Sequence, residues 1–301
     1  MLNRYELTDP TKQQEKEGMY KIVTHPGSAH KDDFMAVSIL LATLAEATVE
    51  RREATAEDLA DPDTYVVDVG MLYEPERHNF DHHHDQGLPC AFHLVMKYLG
   101  YHETAKIVYG WYQHMSMMDV RGPHKTAEHL GINTSVLFTA SSPIDGYILS
   151  LFSRIERLAK GDSLYALMQD FGRDFTAMID QKMARFERLK REAQIYPVDR
   201  YKAIVNRIEE NPKLSLELYL KALNDDQIVL CITPSMRGAG WELLRLGDNL
   251  QVDFRDIAGS PEVRFVHVNG FVAKTRSLLP LDQVLQLAGQ AIKPADRLVH
   301  Q

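Results

Sequence analysis

The amino-acid sequence predicts an α/β protein: an N-terminal, mostly parallel sheet flanked by helices, then a helical connector and a smaller C-terminal α/β domain. Two observations predict the parallel sheet. Short apolar runs at 20–24 and 64–69 enclose a helical pattern at 33–47, and a strand–helix–strand order is typical of parallel sheets. A third observation predicts the second domain, because strand-like runs replace the helical periodicity after Pro197.

The N-terminal elements are predicted from local pattern. The run 20–24 precedes a Pro-Gly pair, which predicts a strand followed by a turn. Apolar residues within 33–47 recur at helical spacing, and either Asp32 or Asp33 can cap that helix. The run 64–69 is β-branched and bounded by proline and glycine, which predicts a buried strand.

Helices dominate the middle of the chain and alternate with strands towards its end. Helices are predicted at 91–99, 103–118, 144–159, 164–193, 214–223 and 281–292, and strands at 201–205, 228–233, 241–246 and 264–268. The long helix predicted at 164–193 is strongly charged near its C-terminal end, and Pro197 shortly after it is expected to end the helix. The predicted segments are a loosely ordered extension at 1–18, a domain with the helical connector at 19–196, and a C-terminal domain at 197–301.

Composition and charge limit the classes of function. The 301 residues are 45% hydrophobic and 25% charged, as in ordinary globular proteins. Two distant cysteines, Cys90 and Cys231, predict no disulfide framework and a reducing compartment. The sequence has no apolar run long enough to span a bilayer, and its first 18 residues are polar, unlike a secretory or mitochondrial leader peptide. We therefore expect a cytoplasmic protein without a membrane partner. The net charge of −8 disfavours broad binding to nucleic acid duplexes but allows a small phosphate ester.

Histidine and aspartate residues form three clusters that predict a metal site. The candidate ligands are His25, His30, Asp32, Asp68, His82 and Asp119. A lone histidine is more often a surface or core residue, but 11 of the 13 histidines fall within the first 129 residues. Imidazole together with carboxylate suits Mn, Fe, Co or Zn. Six ligands are too many for one tetrahedral ion, and a carboxylate such as Asp68 can bridge two ions that activate a water against a phosphate ester.

The same clusters resemble a known family of enzymes. The segments Thr24-His25-x-Gly27-x-x-His30-x-Asp32-Asp33, Val66-Val67-Asp68-Val69-Gly70-x-x-Tyr73 and Phe80-Asp81-His82-His83 resemble the melanocyte proliferating gene (Myg) family of metal-dependent hydrolases. That family is related to the DHH phosphoesterases. The late segment 265–271, Phe-Val-His-Val-Asn-Gly-Phe, resembles another motif of the family, so that the resemblance extends over nearly the whole chain.

The resemblance implies a DHH-like catalytic domain and a role for each motif residue. The six candidate ligands would hold two divalent ions, manganese before other metals, with Asp68 bridging them. Asp81 and His83 are the implied catalytic pair: Asp81 would orient an imidazole, and His83 would face the substrate phosphate. Neighbouring side chains of an extended segment point in opposite directions, which predicts that His82 binds metal and His83 does not. The implied activity is exonucleolytic cleavage of RNA by phosphodiester hydrolysis.

Other functions stay open at this point. The chain has Ala29 and Asp33 where the family usually has an aromatic residue and glutamate, and it lacks a glycine-rich continuation after Phe271. Within the same chemistry, the alternatives are a small-molecule phosphatase or a pyrophosphatase, which the acidic net charge slightly favours. From a different class comes a non-catalytic, metal-binding regulatory protein, although such a protein has no physical reason to keep six compatible ligands.

Basic residues of the C-terminal domain predict a second part of the substrate site. Lys274 and Arg276 alternate along the chain, which puts both side chains on one side of an extended segment, where they could hold a substrate phosphate across a cleft. A solvated strand end is the alternative, and Arg237 in a glycine-rich turn is then the next candidate. His267 and Gly270 of the late motif complete the predicted set. The predicted partner is a phosphate ester, including short RNA, and a homo-oligomer stays an open alternative.

Overall fold

Two six-stranded sheets carry the fold, one in each of the units into which the chain divides, Met1–Asp180 and Gln181–Gln301. A computed structural model describes residues 19–139, 142–207, 213–247 and 249–293. Both sheets mix parallel and antiparallel strands and are flanked by helices, which confirms the predicted α/β class. The predicted extension 1–18 lies outside the described residues, and the division between the units falls inside a long helix, before Pro197.

The first unit is built on a sheet whose central strands are parallel. Its strands are β1 (Tyr20–Thr24), β2 (Ala47–Arg51), β3 (Thr64–Val67), β4 (Tyr73–Glu74), β5 (Asn79–Phe80) and β6 (Arg157–Leu158). They lie in the order β4-β5-β3-β1-β2-β6, and only the two edge strands are antiparallel to their neighbours. Strand β3 is buried along its whole length, as expected for a parallel strand with both faces covered.

Helices enclose a large apolar core on this sheet. They are α1 (Lys31–Thr43), α2 (Ala56–Ala60), α3 (Ala91–Tyr98), α4 (His102–Val108), α5 (Tyr112–Leu130), α6 (Thr134–Thr139), α7 (Pro143–Ser153) and the first part of α8 (Ser163–Glu192). Helix α1 is almost wholly apolar after its first turn and is buried along most of its length. A Cβ at Gly172 of α8 would lie 2.1 Å from the carbonyl oxygen of Ser38, so a glycine is needed where α8 meets α1.

The structure corrects two of the predicted helices. The helix predicted at 103–118 is divided into α4 and α5, because Tyr109 adopts an extended backbone conformation between them. Gly122, with φ of +76°, interrupts α5, so Asp119 lies in the last helical turn before this break, as predicted. The helix predicted at 144–159 ends at Ser153, and the following residues form strand β6.

The second unit has a sheet that is mostly antiparallel. Its elements are β7 (Gln194–Val198), β8 (Tyr201–Val205), α9 (Lys213–Leu223), β9 (Ile228–Pro234), β10 (Trp241–Arg245), β11 (Val263–Val266), β12 (Val272–Thr275) and α10 (Leu281–Gln290), together with the end of α8. The strand order is β11-β12-β10-β9-β8-β7, and only β8 and β9 are parallel. Helix α10 packs on one face, and α9 with the end of α8 packs on the other.

Strands β7 and β12 were not predicted from the sequence. Pro197 was expected to end the long helix, but it lies inside β7. Since β7 is an edge strand, its proline needs no ladder hydrogen bond on the free side. Within the described ranges, none of the helices combines the length and the apolar character that a bilayer span needs.

Candidate metal centre

The centre begins at the carboxyl ends of two adjacent parallel strands. Strands β1 and β3 pair with Thr24 opposite Val67, so His25 and Asp68 follow neighbouring strand ends. Open α/β sheets place their sites at this edge. Asp68 has a φ of +57°, a left-handed conformation that few residue types besides glycine, asparagine and aspartate adopt. The chain therefore turns sharply at Asp68, directly after the strand.

Asp68 lies in the middle of the centre. Its Oδ2 is 3.4 Å from His25 Nε2, and its Oδ1 is 3.2 Å from His82 Nε2. Asp119, which α5 supplies, has its Oδ2 3.2 Å from the same His82 nitrogen. A carboxylate with a different imidazole beside each oxygen has the arrangement of a ligand that bridges two ions.

All six predicted ligands come together in the structure. Their ligand atoms form three groups, within each of which they lie no more than 4.8 Å apart: His25, His30 and Asp68; His30, Asp32 and Asp119; and Asp68, Asp81, His82 and His83. Both Asp68 and His30 belong to two of these groups. Each of these groups combines imidazole and carboxylate donors and could hold a divalent metal ion.

Several buried polar atoms of these ligands have no hydrogen-bond partner among the described residues. They are His25 Nε2, both carboxylate oxygens of Asp32, Asp68 Oδ1 and His82 Nε2. Buried polar atoms are nearly always hydrogen-bonded, and an uncompensated buried carboxylate is costly. Divalent ions would satisfy these atoms together, and the donor set is one that Mn, Fe, Co or Zn accepts. The residues present therefore fit a divalent metal centre.

The electrostatics of the centre also favour a cation. Burial raises the pKa of Asp32, and the neighbouring carboxylates raise it further. Burial likewise raises the pKa of Asp68. The close Asp33 carboxylate raises the pKa of His25 to about 9. Burial lowers the pKa of His82, but its two carboxylate neighbours outweigh burial and raise it to about 10. Protons on the imidazoles thus offset the carboxylate charge, and a bound metal would take their place.

Asp81 is buried and holds His83. Its Oδ1 accepts hydrogen bonds from His83 Nδ1 at 2.6 Å and from the His83 backbone N–H, and its Oδ2 accepts one from the Met71 N–H. Burial acts to raise the pKa of Asp81, but these hydrogen bonds outweigh it and hold the pKa below its ordinary value. The His83 side chain is 52% exposed, against 7% for His82. His83 is thus fixed through Nδ1, and its Nε2 stays available.

The expectation that His82 and His83 point in opposite directions is wrong. The chain does not run extended through this segment but turns at His83, and the two rings stack with their centroids 4.4 Å apart. His83 Nδ1 consequently lies 3.7 Å from Asp68 Oδ1. The two histidines differ in their exposure and in the hydrogen bond between Asp81 and His83. Alternation of side chains along a strand does not distinguish them.

Arg51 and Asp33 support the centre, and sequence analysis missed the first of them. Asp33 Oδ2 lies 3.2 Å from His25 Nε2 and 3.4 Å from an Arg51 guanidinium nitrogen. Asp33 Oδ1 accepts a hydrogen bond from the backbone N–H of His30, at the start of α1. Arg51, at the end of β2, also donates to the carbonyl of Gly27 at 3.0 Å. The pair thus holds both ends of the loop that carries His25 and His30.

The second unit places three of the predicted substrate-binding residues in one pocket. Arg237, His267 and Lys274 line a cavity of about 300 Å³ on the sheet of this unit. The ammonium of Lys274 lies 2.8 Å from a carboxylate oxygen of Glu242. The charge of Lys274 is therefore balanced within the cavity wall.

Arg276 and Gly270 are not among the residues that line this cavity. Arg276 follows β12 and its Nε donates a hydrogen bond to the carbonyl of Pro261. Gly270 has a φ of +66°, and a Cβ there would lie 2.1 Å from a carboxylate oxygen of Asp253. Backbone geometry is thus enough to explain the glycine at position 270.

One comparison with known proteins, that with family models, agrees with the N-terminal motifs. Residues 21–99 match the family model MYG1_exonuc, described as "Uncharacterised protein family (UPF0160)". The predicted resemblance is confirmed over this range, which contains every predicted metal ligand except Asp119. No curated protein matches the chain. The crystal structure of an exopolyphosphatase-related protein from Bacteroides fragilis is similar at 10% identity and a TM-score of 0.26, over 90% of this chain and 91% of that one.

Proposed function

We propose that this chain, a Myg-family protein by its residues 21–99, is a metal-dependent phosphoesterase that hydrolyses phosphodiester bonds, with short RNA as substrate and exonuclease action. The proposed cofactors are two divalent ions, manganese before other metals. The observation that carries the proposal is the position of Asp68, whose two carboxylate oxygens face two different imidazoles, those of His25 and His82. We also propose that the protein acts in the cytoplasm.

The proposed ligands divide between rigid elements of the first unit. They are His25, His30, Asp32, Asp68, His82 and Asp119. Two bound ions supply activation of a water and stabilisation of charge on the phosphoryl group. The task of the chain is to hold the donor atoms close together in spite of their repulsion. Strand ends hold His25 and Asp68, the start of α1 holds Asp32, and α5 holds Asp119.

Asp81 and His83 are the proposed catalytic pair. Asp81 accepts a hydrogen bond from His83 Nδ1 and fixes the orientation of the ring. The partly exposed His83 can then donate a hydrogen bond from a protonated Nε2 to a phosphate oxygen, where negative charge accumulates during hydrolysis. A carboxylate behind an imidazole is a common way of fixing its orientation and tautomer.

We assign substrate binding in the second unit to Lys274, Arg276, Arg237, His267 and Gly270. Of the three cations, Arg237 is the best suited to a phosphate. It is exposed and has no carboxylate partner within the described ranges, whereas Lys274 is paired with Glu242. Arginine binds phosphate oxygens through two parallel N–H donors, which favours it over lysine at such a position.

Metal analysis and a substrate panel test the proposal. Protein purified without chelator is expected to contain about two divalent ions per chain, and to cleave short RNA in preference to pyrophosphate and p-nitrophenyl phosphate. Faster cleavage of pyrophosphate or of a phosphate monoester would favour the small-molecule phosphatase alternative. Bound metal without hydrolysis of any substrate in the panel would favour a non-catalytic regulatory protein.

A further inference from the structure

The pocket of the second unit has a polar row across its sheet. Thr233 of β9 is opposite Glu242 of β10, and Glu242 is opposite Lys274 of β12. Phe265 of β11 pairs with Lys274 and continues the row. These residues all line the cavity of about 300 Å³, a volume at the lower end of the range for small-molecule sites.

The neighbouring row of the same face is closed by helices. Cys231 and Leu244, one step along β9 and β10, belong to an apolar cluster with Leu216 and Tyr219 of α9. The polar row begins where this apolar cover ends. The cavity is therefore a gap in the packing of one sheet face, with charged side chains at a place where apolar ones would otherwise be expected.

The ion pair in the cavity wall suits a neutral polar group of a ligand better than an anionic one. Glu242 and Lys274 form an ion pair of 2.8 Å, and their side chains are only 14% and 15% exposed. A carboxylate and an ammonium side by side offer acceptors next to donors and carry no net charge. The hydroxyl oxygen of Thr233 is buried and has no hydrogen-bond partner among the described residues.

Aromatic side chains give the cavity a flat wall. The Phe265 side chain lines it and is 46% exposed, so that its ring is accessible to a ligand in the cavity. The His267 ring lies against Phe271 with centroids 4.0 Å apart. Because His267 Nδ1 accepts a hydrogen bond from the Asn269 N–H, its proton is on Nε2, which can donate. A flat face beside donors and acceptors is suited to a heteroaromatic ring.

We propose that this pocket binds the base of a guanine nucleotide. The base would stack on Phe265, donate hydrogen bonds from N1–H and the 2-amino group to the Glu242 carboxylate, and accept a hydrogen bond at O6 from Lys274. Guanine fits best because, of the four RNA bases, it alone places two adjacent donors beside an acceptor. This inference rests on the proposed function, which it narrows to RNA with guanine in one position.

The same geometry provides for the phosphate of that nucleotide. Arg237 lines the cavity from the β9–β10 turn, and its carbonyl accepts a hydrogen bond from the Arg264 guanidinium, which fixes the turn. A Cβ at Gly240 of the turn would lie 2.4 Å from the carbonyl of Thr275, so the turn is also held against β12. An exposed guanidinium on a fixed turn can bind the phosphate while the base lies inside.

Nucleoside binding by the full-length protein, freed of metal with a chelator, is the direct test. Guanosine, adenosine, cytidine and uridine carry no phosphate, so the metal centre contributes nothing to their binding. We expect guanosine to bind at least about tenfold more tightly than the others, since one charged bidentate hydrogen bond has that effect or more. Titration followed by NMR of the protein or by calorimetry measures the four dissociation constants.

Three variants locate the binding site. Phe265→Ala should weaken binding of all four nucleosides, whereas Glu242→Gln should remove the preference for guanosine. Glu262→Gln removes an exposed carboxylate that does not line the cavity. This control should change neither the affinity for the four nucleosides nor the preference for guanosine. Melting temperatures verify that each variant is folded; if Glu242→Gln unfolds the protein, Phe265→Ala still decides whether the pocket is the site. Absence of nucleoside binding, or a guanosine preference that survives Glu242→Gln in folded protein, would overturn the proposal.

Hydrolysis by the metal-loaded wild-type protein separates this proposal from the proposed function. Cleavage of bis(p-nitrophenyl) phosphate needs no base and tests the phosphoesterase alone. Hydrolysis without nucleoside binding would overturn the guanine pocket and leave the phosphoesterase standing. Guanosine binding without hydrolysis of any phosphate ester would overturn the phosphoesterase and leave the guanine pocket standing.

Discussion

The guanidinium of Arg51 and the carboxylate of Asp33 form an ion pair of 3.4 Å in which neither side chain is more than 1% exposed. The guanidinium also lies over the ring of Phe152, 4.6 Å from its centroid, and donates to the carbonyl of the same residue. Since Asp33 contacts His25 directly, Arg51 connects three separate segments of the chain at the edge of the metal centre. A charge this deeply enclosed is stable only while its partners stay in place.

Replacing Arg51 is expected to weaken both the fold and the metal centre. Arg51→Gln leaves Asp33 buried without its cation, a change that typically costs about 3–5 kcal/mol. The loop between His25 and His30 loses its hydrogen bonds, so metal affinity should fall by roughly 10–100-fold, as it does when residues behind a ligand are removed. Thermal melting and metal titration measure the two effects. Arg52→Gln is the matched control, because Arg52 binds Glu50 and Asp58; equal loss of metal in both variants would contradict the assignment.

Asp68→Asn should release most of the bound metal. The amide cannot carry the negative charge that both imidazole-facing oxygens of Asp68 present, so a bridge between two ions is lost. Elemental analysis of the purified variant is expected to show less than half of the wild-type metal, with hydrolysis of phosphate esters close to background. Asp85→Asn serves as control, since Asp85 lies in the same region but belongs to none of the ligand groups. Full metal content together with normal activity in Asp68→Asn would rule out the bridging role.

His82 and His83 are expected to differ in the effect of substitution. His82 is buried between two carboxylates, so His82→Ala should lower metal content and turnover together. His83 is half exposed and held by Asp81, so His83→Ala should lower kcat by about 10²–10⁴-fold, the usual contribution of a positioned proton donor, while metal content stays near wild type. Metal analysis beside steady-state kinetics separates the two outcomes. The division of roles fails if His83→Ala loses as much metal as His82→Ala.

The parts of the site that depend on local sequence pattern could be predicted from the sequence. His25 and Asp68 each follow a run of β-branched residues, and a strand–helix–strand order puts such positions at one edge of a sheet. The fold class and the meeting of His25 with Asp68 could therefore be predicted. Strand β2 was missed, because Ala47–Arg51 contains only two apolar residues and the first of them, Ala47, was assigned to the preceding helix, so the position of Arg51 at a strand end was missed too.

Features that depend on distant contacts could not be predicted. The helix predicted at 103–118 is divided at Tyr109, where the backbone is extended, and this division was not expected. The pairing of Lys274 with Glu242 follows from the register of two strands, one of which, β12, has no clear pattern of its own. Cross-strand register and the packing of helices decide these contacts, and neither is encoded within a short window of sequence.

The Asp58 carboxylate gives the fold a predictable response to acid. Hydrogen bonds from Arg52, and further ones from Lys21 and the Thr55 backbone, lower the pKa of Asp58 although burial opposes this. A carboxyl with a lowered folded-state pKa stabilises the protein above its unfolded pKa of about 4, and this stability is lost as the pH falls from there towards the folded-state value. Asp58→Asn should therefore lower the free energy of unfolding by about 2–3 kcal/mol at neutral pH, the usual loss for hydrogen bonds to a charged group, and by progressively less below pH of about 4. Urea unfolding between neutral pH and acid measures the difference, with Glu57→Gln on the exposed side of α2 as control. A destabilisation that stays constant down to the lowest pH at which the protein is folded would show that lost packing, and not the carboxylate charge, is responsible.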